Sequence, residues 1–257
     1  MLADITAMLL TLDEEANIGR TLDKLTWAKR ILVIDSGSRD RTREIVAGYP
    51  QAEVVGRDFD SFAGQCNFGL DRIATEWVLS LDADYVLTDE LIAEIAALRP
   101  EPDVSGYSAA FTYRVFGCRL RRSLYPPRTV LYRARRARYA DDGHGHRVAI
   151  TGRIVPLAGR IEHDDRKPLA RWFSAQARYA ALEAAHLTAA NKATLPPIDR
   201  IRLMIVPAPL VVFLYTLIGK GCLLDGWPGW FYAAQRACAE IMLSLAILER
   251  RLRPPAD

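Results

Sequence analysis

The stretch "RILVIDSGSRDRTREIVA", residues 30–47, decides the expected fold. Its apolar run, 31–34, predicts a buried strand, and the polar turn that follows contains Gly37. From Thr42 onward the apolar residues recur at helical spacing. A strand that leads through a short turn into a helix is the repeating unit of a sheet with parallel strands.

The same alternation runs through the first hundred residues. The apolar patterns predict strands at 5–12, 30–35, 52–58 and 77–87, and helices at 14–27, 42–47, 62–76 and 88–98. This order implies a Rossmann-like α/β fold: a mostly parallel sheet with right-handed crossovers and helices on both faces. Ligands of such sheets bind beyond the carboxyl ends of the strands, where polar residues follow Leu10, Ile34 and Leu81.

After Pro100 the pattern changes to that of antiparallel strands. Strands are predicted at 106–117, at 128–134 and, as a hairpin or meander with glycine turns, at 147–163. A long helix is predicted at 168–190, with Asn191 as its end. We therefore expect the two halves of one α/β domain and a helical extension, at 1–100, 101–195 and 196–257.

The stretch "LMIVPAPLVVFLYTLIG", residues 203–219, contains no charged residue. A helix that spans a membrane needs about 20 mainly apolar residues, and this stretch is shorter and contains Pro207 and Pro209. Three structures remain open: a core helix, an interfacial membrane segment and a spanning helix. Flanking aromatic and basic residues favour the interfacial segment. The C-terminal extension is therefore expected to associate with a membrane.

The composition, with 50% hydrophobic and 25% charged residues, is that of a globular protein. The net charge of +3 hides a division along the chain, because residues 1–103 contain 20 acids and 10 bases, whereas the remainder contains 11 acids and 24 bases. Nine arginines and no acid lie in 104–140. Such a cluster suits a phosphate-rich partner: a nucleotide, a nucleic acid or an anionic membrane.

The four cysteines lack C-x-x-C spacing, which argues against a zinc site or a disulfide framework and favours a reducing cytosol. The N-terminal residues lack the basic region and the long apolar stretch of a secretory signal. We expect the protein to stay inside the cell.

Carboxylates follow three of the predicted strands, in "TLDEE" (11–15), "VIDSGSRDRT" (33–42) and "LDAD" (81–84). Side chains at i and i+2 of a strand face the same side, so Asp82 and Asp84 can both bind one Mg²⁺ or Mn²⁺. An ion that bridges a diphosphate stabilises a leaving nucleoside diphosphate as a Lewis acid. The sequence has no Walker A motif and no G-x-G-x-x-G, which counts against an ATPase or a dinucleotide enzyme.

Three motifs resemble, in their order and spacing, those of the family 2 glycosyltransferases of the GT-A fold. They are "TLDEEANIGRTLDKL", "ILVIDSGSRDRT" and "WVLSLDADYVL". The resemblance covers about the first hundred residues. "FDSFAGQCNFGL" and "WVLSLDADYVLTDEL" are most similar to the subgroup that acts on the lipopolysaccharide inner core and related bacterial surface polysaccharides. The resemblance implies an inverting, metal-dependent transferase that takes a hexose from a nucleotide sugar, with a UDP-sugar as the expected donor.

The resemblance also implies roles for individual residues. The nucleobase and ribose pocket would be lined by Thr11, Leu12, Glu14, Asp35, Gln65 and Asn67. Asp84 would bind the metal directly, and Asp82 would lie near the ribose or the metal. His163 could complete the metal shell or serve as a structural histidine. For Gln65 and Asn67 a structural role is likewise open.

An inverting transferase needs a general base that takes the proton of the acceptor hydroxyl. The loop "YADDGHGHRV", residues 139–148, interleaves acids and histidines with glycine, as suits a loop that reaches over a site. Asp142 is the first candidate, followed by Asp141 and His144. A solvated turn is the other interpretation of this loop.

Three functions remain open. The leading hypothesis is transfer to a lipid-linked glycan acceptor by a peripheral or monotopic enzyme on the cytoplasmic face of the inner membrane. The second replaces this acceptor with polyprenyl phosphate, and Arg128, Arg166 or Lys167 could bind its phosphate or that of the donor. The third is a basic nucleic-acid-binding module built on 104–140. It lacks a recognisable motif and leaves the D-x-D unexplained, so nucleic acid is not an expected partner.

Overall fold

The computed structural model describes residues 1–142, 145–191, 193 and 195–253. The chain divides into two compact units. The sheet unit contains Met1–Gly117, Tyr125–Asp141 and His146–Arg166. The helical unit contains Cys118–Leu124 and the described residues from Lys167 onward. The functional division of the chain at residues 100 and 195 stays a prediction. The two structural units have different bounds.

The described residues form strands and helices in alternation through the first hundred residues, as expected. The strands are β1 (Ile5–Thr11), β2 (Ile31–Asp35), β3 (Ala52–Gly56), β4 (Trp77–Asp82), β5 (Tyr85–Leu87), β6 (Val104–Val115), β7 (Cys118–Arg119), β8 (Arg128–Arg133), β9 (Ala137–Asp142), β10 (Gly145–Ile150) and β11 (Arg153–His163). The helices are α1 (Ile18–Asp23), α2 (Thr42–Ala47), α3 (Phe62–Leu70), α4 (Asp89–Ala97), α5 (Leu169–Ala189), α6 (Pro197–Leu203), α7 (Pro207–Leu214) and α8 (Gly226–Leu252).

The main sheet has the strand order β3-β2-β1-β4-β8-β6-β11-β5. The strands β3, β2, β1 and β4 are parallel, as predicted. Strand β8 is antiparallel to both β4 and β6, which confirms the antiparallel pattern expected after residue 100. The buried side chains of these strands form a core with Ile18 and Leu22 of α1 and with Leu91 and Ile95 of α4. The predicted α/β fold is confirmed.

The strand predicted at 77–87 is wrong in one respect, because it is broken at Ala83 and Asp84. The carbonyl oxygen of Ala83 accepts a hydrogen bond from Thr21 Oγ1 (2.7 Å), and that of Asp84 accepts one from the Asp164 amide (3.2 Å). These bonds use carbonyl groups that would otherwise continue the strand. The chain therefore leaves β4, and β5 pairs with β11 instead.

The hairpin or meander predicted at 147–163 also differs in the structure. Strand β10 pairs with β9 in a separate two-stranded sheet, and β11 lies between β6 and β5 in the main sheet, parallel to β6. Gly152 has φ = 122°, a conformation that favours glycine, at the turn between the two strands. In its observed position β11 buries Leu157 and Ile161 in the core, which a solvated hairpin would not do.

In the helical unit, α5 confirms the helix predicted at 168–190. The apolar stretch 203–219 forms α7, with Pro207 at its first turn, and a π-helical turn, Tyr215–Gly219. Within the described residues, one helical segment, Cys222–Leu252, is long and apolar enough to cross a membrane by length and composition. One third of its most apolar stretch of 18 residues is buried. The apolar segment of sufficient length is therefore not the one at 203–219.

Candidate active site

The polar ends of β1, β2 and β4 meet at one edge of the sheet, as expected for parallel strands. Thr11 is the register partner of Asp35 in the pairing of β1 with β2. Leu10 is the register partner of Asp82 in the pairing of β1 with β4. The carboxylates that follow these strands are thereby brought together from positions far apart in sequence.

Asp35 organises the loop that follows β2. Its carboxylate is fully buried and accepts hydrogen bonds from Thr11 Oγ1 (3.0 Å), from the hydroxyl and amide of Ser38 and from the amide of Gly37 (3.2 Å). The Nε atom of Arg43 lies 3.4 Å from Asp35 Oδ1. Gly37 has φ = 90°, which brings its amide into this turn. The predicted contact of Asp35 with uracil or ribose stays a prediction.

The loops after β1 and β2 are fastened to each other by further polar contacts. The amide of Glu14 donates to Thr42 Oγ1 (2.6 Å), and the amide of Arg39 donates to Asp13 Oδ1 (2.7 Å). Glu14 Oε2 accepts a hydrogen bond from Asn17 Nδ2 (2.9 Å). Leu12 is partly buried between these positions in the sequence. Leu12 and Glu14, two of the predicted pocket residues, therefore lie in a loop that is bonded to the loop after β2.

Asp84 and His163 lie side by side although they are far apart in sequence. His163 is the register partner of Tyr85 in the β11–β5 pairing, and His163 Nε2 is 3.7 Å from Asp84 Oδ2. Burial lowers the pKa of His163 to about 4, so its imidazole is neutral at pH 7. The side chain is stacked on Tyr113, with ring centroids 4.6 Å apart. A carboxylate and a neutral imidazole are thus presented together.

This pair fits a divalent cation. Two ligand atoms that each lie about 2.1 Å from one Mg²⁺ are at most about 4.2 Å apart, and the separation of His163 Nε2 from Asp84 Oδ2, 3.7 Å, is within that limit. In the described part of the chain, however, no group of three or more histidine, cysteine, aspartate and glutamate side chains could hold a metal ion. A cation here would need further ligands from a bound molecule or water.

The segment that follows His163 is held by a network that sequence reasoning missed. Asp164 is buried, and its carboxylate accepts hydrogen bonds from Arg20 Nη1 (2.8 Å) and Arg166 Nη2 (2.8 Å). Asn17 Oδ1 accepts from Arg20 Nη2 (2.8 Å) and from the Arg166 amide (2.9 Å). The pattern "NIGR" contains Asn17 and Arg20, but nothing local in it indicates a partner at residue 164. This network fixes the end of β11, and hence His163, against α1.

A cleft of about 210 Å³ opens beside Asp82. Its lining combines one carboxylate, two arginines, two phenols and small polar or apolar side chains, namely Ser80, Asp82, Tyr85, Arg128, Thr129, Val130, Tyr139, Arg147 and Val148. The guanidinium of Arg128 lies over the ring of Tyr125, 5.2 Å from its centroid. Burial lowers the pKa of Arg128, but Tyr85, Tyr125 and Asp82 together raise this pKa by more than burial lowers it. The net shift of the Arg128 pKa is therefore upward. The cleft therefore presents a permanent cation opposite a carboxylate.

Three other predicted site residues make contacts within the sheet unit that support the fold. Gln65 is buried and donates from Nε2 to the carbonyl oxygens of Arg57 (3.2 Å) and Asp58 (3.0 Å). Asn67 exchanges two hydrogen bonds of 2.9 Å with the backbone of Tyr139. Asp141 Oδ1 accepts a hydrogen bond from the amide of Ala63 at the start of α3 (3.2 Å).

For Gln65 and Asn67 these contacts supply the structural role that the sequence left open, and their role at the nucleotide stays a prediction. Among the candidate bases, the backbone of Asp142 ends β9, while its side chain and the whole of His144 lie outside the described residues.

The comparison with known sequences extends beyond the first hundred residues. The profile of the family described as "Glycosyl transferase family 2" matches residues 6–152, more than half of the chain. The "Lipopolysaccharide core biosynthesis glycosyltransferase LpsC" of Rhizobium meliloti (strain 1021) is 31% identical over 104 residues, which cover 38% of this chain and 38% of that protein. An "Uncharacterized glycosyltransferase" of Rickettsia felis is 27% identical over 168 residues, with coverages of 61% and 58%. The chain thus matches less than two thirds of the length of either relative.

Solved structures also resemble the chain. The structure of S. aureus TarS 1-349 in complex with UDP-GlcNAc has a TM-score of 0.49 at 15% identity, and the match covers 96% of this chain and 91% of that one. The structure of glucosyl-3-phosphoglycerate synthase from Mycobacterium tuberculosis with Mn2+, UDP and phosphoglyceric acid has a TM-score of 0.48 at 15% identity, with coverages of 72% and 77%.

Proposed function

The chain belongs to glycosyl transferase family 2, and from this premise we propose that it is an inverting, metal-dependent hexosyltransferase with a nucleotide sugar, UDP-linked, as its donor. The acceptor in this proposal is a lipid-linked glycan of lipopolysaccharide or surface-polysaccharide synthesis. Support for this acceptor class comes from the 31% identity to the lipopolysaccharide core enzyme LpsC over 104 residues.

The observation that carries the proposal is the group of Asp82, Asp84, His163 and Arg128. Asp84 and His163 would hold the cation, with Asp82 beside them, and phosphate oxygens of the donor would complete its shell. Once bound, the cation would supply Lewis-acid stabilisation of the leaving nucleoside diphosphate. Because Mg²⁺ prefers oxygen ligands, the imidazole of His163 favours Mn²⁺ over Mg²⁺. Arg128 would bind the diphosphate directly, since a guanidinium pairs well with phosphate oxygens.

The loops after β1 and β2 would orient the nucleoside. In this proposal Thr11, Leu12, Glu14 and Asp35 line the nucleobase and ribose pocket. The hydrogen bonds of Thr11 to Asp35 and of the Glu14 amide to Thr42 keep the two loops in shape before the donor binds. Gln65 and Asn67 of α3 would border the same pocket, and their hydrogen bonds to the backbone of Arg57 and Tyr139 hold the two side chains in place. A pre-formed pocket lowers the entropy that donor binding would otherwise cost.

Transfer with inversion requires that the acceptor hydroxyl lose its proton as its oxygen attacks the anomeric carbon and the diphosphate departs. Asp142 is the proposed base, and Asp141 and His144 are the alternatives in the same loop. The carboxylate of Asp141 already accepts a hydrogen bond from the Ala63 amide at the start of α3, which holds it against that helix. That contact supports Asp142 over Asp141.

A test of the proposal is a thermal-shift panel of nucleotide sugars with and without Mn²⁺, on the native chain and on Asp84→Asn. We expect a UDP-sugar to raise the unfolding temperature of the native chain only when Mn²⁺ is present, and Asp84→Asn to lose this shift and sugar transfer together. Asp89→Asn is the matched control, because Asp89 is an exposed carboxylate that pairs with Lys24. Full transfer activity in excess chelator would rule out the metal requirement.

The membrane location is part of the proposal. The enzyme would act as a peripheral or monotopic protein on the cytoplasmic face of the inner membrane, where lipid-linked acceptors are found. The apolar segment Cys222–Leu252 and the exposed apolar side chains of α7 support this location. Polyprenyl phosphate is the alternative acceptor, favoured by the exposed arginines of 119–122, and a transfer assay that offers both acceptors separates the two.

A further inference from the structure

The turn between α7 and α8 exposes four large apolar side chains in the helical unit. We call residues 218–227 the hairpin tip. Ile218 is 65% exposed, Leu223 47%, Leu224 67% and Trp227 85%. Leaving side chains of this size in water forfeits the free energy that their burial would release, and an exposed cluster of this kind marks an interaction surface.

The hairpin tip is held in one shape by tight backbone packing. A Cβ atom on Gly229 would lie 1.8 Å from the carbonyl oxygen of Cys222, so the turn and the start of α8 approach each other as closely as glycine allows. Gly221 (φ = 73°) and Gly226 (φ = 64°) both have positive φ angles, which favour glycine in this turn. The exposed side chains are therefore presented by a defined turn.

A basic segment, Cys118–Leu124, is bonded to the hairpin tip and to the first turns of α8. The amide of Arg121 donates to Asp225 Oδ2 (3.2 Å), and the amide of Leu124 donates to the hydroxyl of Tyr232 (3.0 Å). The thiol of Cys222 donates to the carbonyl oxygen of Arg122 (3.5 Å). These contacts display arginine side chains beside the exposed leucines and tryptophan.

The exposed charges of this surface are positive. Arg119, Arg121 and Arg122 are exposed, and the basic segment contains no acid. Lys220 lies over the ring of Tyr215, 5.6 Å from its centroid, on the other side of the turn. The one carboxylate of the hairpin tip, Asp225, is engaged by Arg121 (3.3 Å). The surface thus combines an apolar centre with a cationic border.

We propose that the hairpin tip inserts into an anionic lipid bilayer and that the basic segment binds the lipid headgroups. Trp and Tyr favour the membrane interface, and Lys and Arg beside them bind anionic lipids. Three of the four exposed apolar side chains, Ile218, Leu223 and Leu224, are aliphatic, whereas a surface for single-stranded nucleic acid stacks successive bases on several aromatic rings. The inference rests on the membrane location given under the proposed function and assigns it to particular residues.

The test measures co-sedimentation of the full chain with vesicles of phosphatidylcholine alone and of phosphatidylcholine mixed with an equal amount of phosphatidylglycerol. We expect the native chain to bind the mixed vesicles far better. Arg119→Gln/Arg122→Gln should weaken this binding about 25-fold, since each well-placed cation contributes about fivefold. Leu224→Ser/Trp227→Ser should weaken it at least about tenfold, because both side chains lose apolar burial.

Matched controls carry the same changes away from the hairpin tip. Arg178→Gln/Arg250→Gln removes two exposed cations, and Arg250 lies about 35 Å from Trp227 along α8 at 1.5 Å per residue. Leu252→Ser removes an exposed leucine at that same end. These controls should bind the mixed vesicles like the native chain. The unfolding temperature and the hydrolysis of a UDP-sugar confirm that each variant is folded.

The outcomes separate this inference from the proposed function. If the hairpin-tip variants bind as tightly as the native chain, or if the controls lose as much binding, the inference is wrong while the membrane location stands. Equal binding of the native chain to both kinds of vesicle would remove the headgroup role of the basic segment. A native chain that binds neither kind would overturn the membrane location as well.

Discussion

Asp35 ends the buried strand β2 and Asp84 lies just after β4, but the surroundings of these two carboxylates differ. Asp35 has no solvent exposure and is enclosed by donors from Thr11, Gly37 and Ser38. The side chain of Asp84 is 14% exposed and faces the neutral imidazole of His163. Replacement of Asp35 therefore leaves buried donors unpaired and disturbs the loop itself, whereas replacement of Asp84 tests the site more directly.

Arg128 is the residue that we expect to distinguish a diphosphate from a nucleoside. Arg128→Gln should weaken the binding of UDP about tenfold to a hundredfold, since a hydrogen bond to a charged group contributes about 1.5–3 kcal/mol. The affinity for uridine, which carries no phosphate, should not change. Isothermal titration calorimetry with both ligands measures the two effects.

The control for Arg128 is Arg138→Gln, because Arg138 forms an exposed ion pair with Asp71 in the same unit. It should bind UDP like the native chain. If Arg128→Gln weakens uridine and UDP equally, Arg128 supports the shape of the cleft and does not bind the diphosphate.

The proposed general base can be tested by separating turnover from donor binding. Asp142→Asn should reduce kcat by about 10²–10⁴, the range typical of general acid–base groups, while the affinity for the UDP-sugar stays close to that of the native chain. Steady-state kinetics and calorimetry provide the two values. Near-normal turnover in Asp142→Asn, together with an inactive Asp141→Asn or His144→Ala, would move the base to another residue of the loop.

Among the secondary-structure elements, β11 does most to assemble the site. It lies between β6 and β5, and its register with β6 shifts between Pro156 and Arg160. The carboxylate of Glu94 on α4 accepts the amides of Ala158 (2.9 Å) and Gly159 (2.8 Å) in this irregular stretch. After this irregular stretch, β11 continues to His163, which lies beside Asp84. The irregular stretch is therefore a structural part of the site, although it lies outside the cleft lining.

Gly159 lies where β11 closely approaches α4. A Cβ atom there would lie 2.8 Å from Leu91 Cα, which is backbone and cannot rotate away. Gly159→Ala should lower the free energy of unfolding by about 1–3 kcal/mol, as overpacking of a core does. Urea unfolding measures the change.

Gly19→Ala is the matched control for this substitution. Gly19 lies on α1, where an added Cβ would meet Ile45 at an ordinary contact distance of 3.7 Å. Alanine is the better helix former by about 1 kcal/mol, so this variant should be as stable as the native chain or more stable. If both variants lose the same stability, the close approach at Gly159 is not the cause.

At the scale of the whole molecule, the burial of His163 makes the stability depend on pH. Its pKa is lowered from 6.5 to about 4, so below pH 6.5 the unfolded chain binds a proton that the folded chain does not bind until about pH 4. Stability should therefore fall as the pH decreases from 6.5 to 4, by up to about 1.4 kcal/mol per pH unit from this group.

The contribution of His163 can be measured as a difference. In chelator, His163→Gln should show a smaller loss of stability between pH 6.5 and pH 4 than the native chain, because it has no imidazole to protonate. His186→Gln, which replaces an exposed histidine on α5, should follow the native chain. Parallel curves for the native chain and His163→Gln would show that burial of this imidazole is not coupled to folding.

The strand–helix alternation of the first hundred residues, the antiparallel pairing of β8 and the carboxylates at the strand ends were all predictable from the sequence. Hydrophobic periodicity reports which face of an element is buried, and this information is local. The family was predictable as well, because "VIDSGSRDRT" and "LDAD" occur in the expected order and spacing. The periodicity of α5 was clear for the same reason.

Which distant segments meet could not be predicted from the sequence, because it depends on the folded chain. The break after Asp82 depends on hydrogen bonds from Thr21 and Asp164, and the position of β11 beside β6 depends on the burial of Leu157 and Ile161. The contact of His163 with Asp84 follows from both. Periodicity along a segment contains no information about its pairing partner, because the energy of a non-local pair arises only when the chain has brought the two segments together.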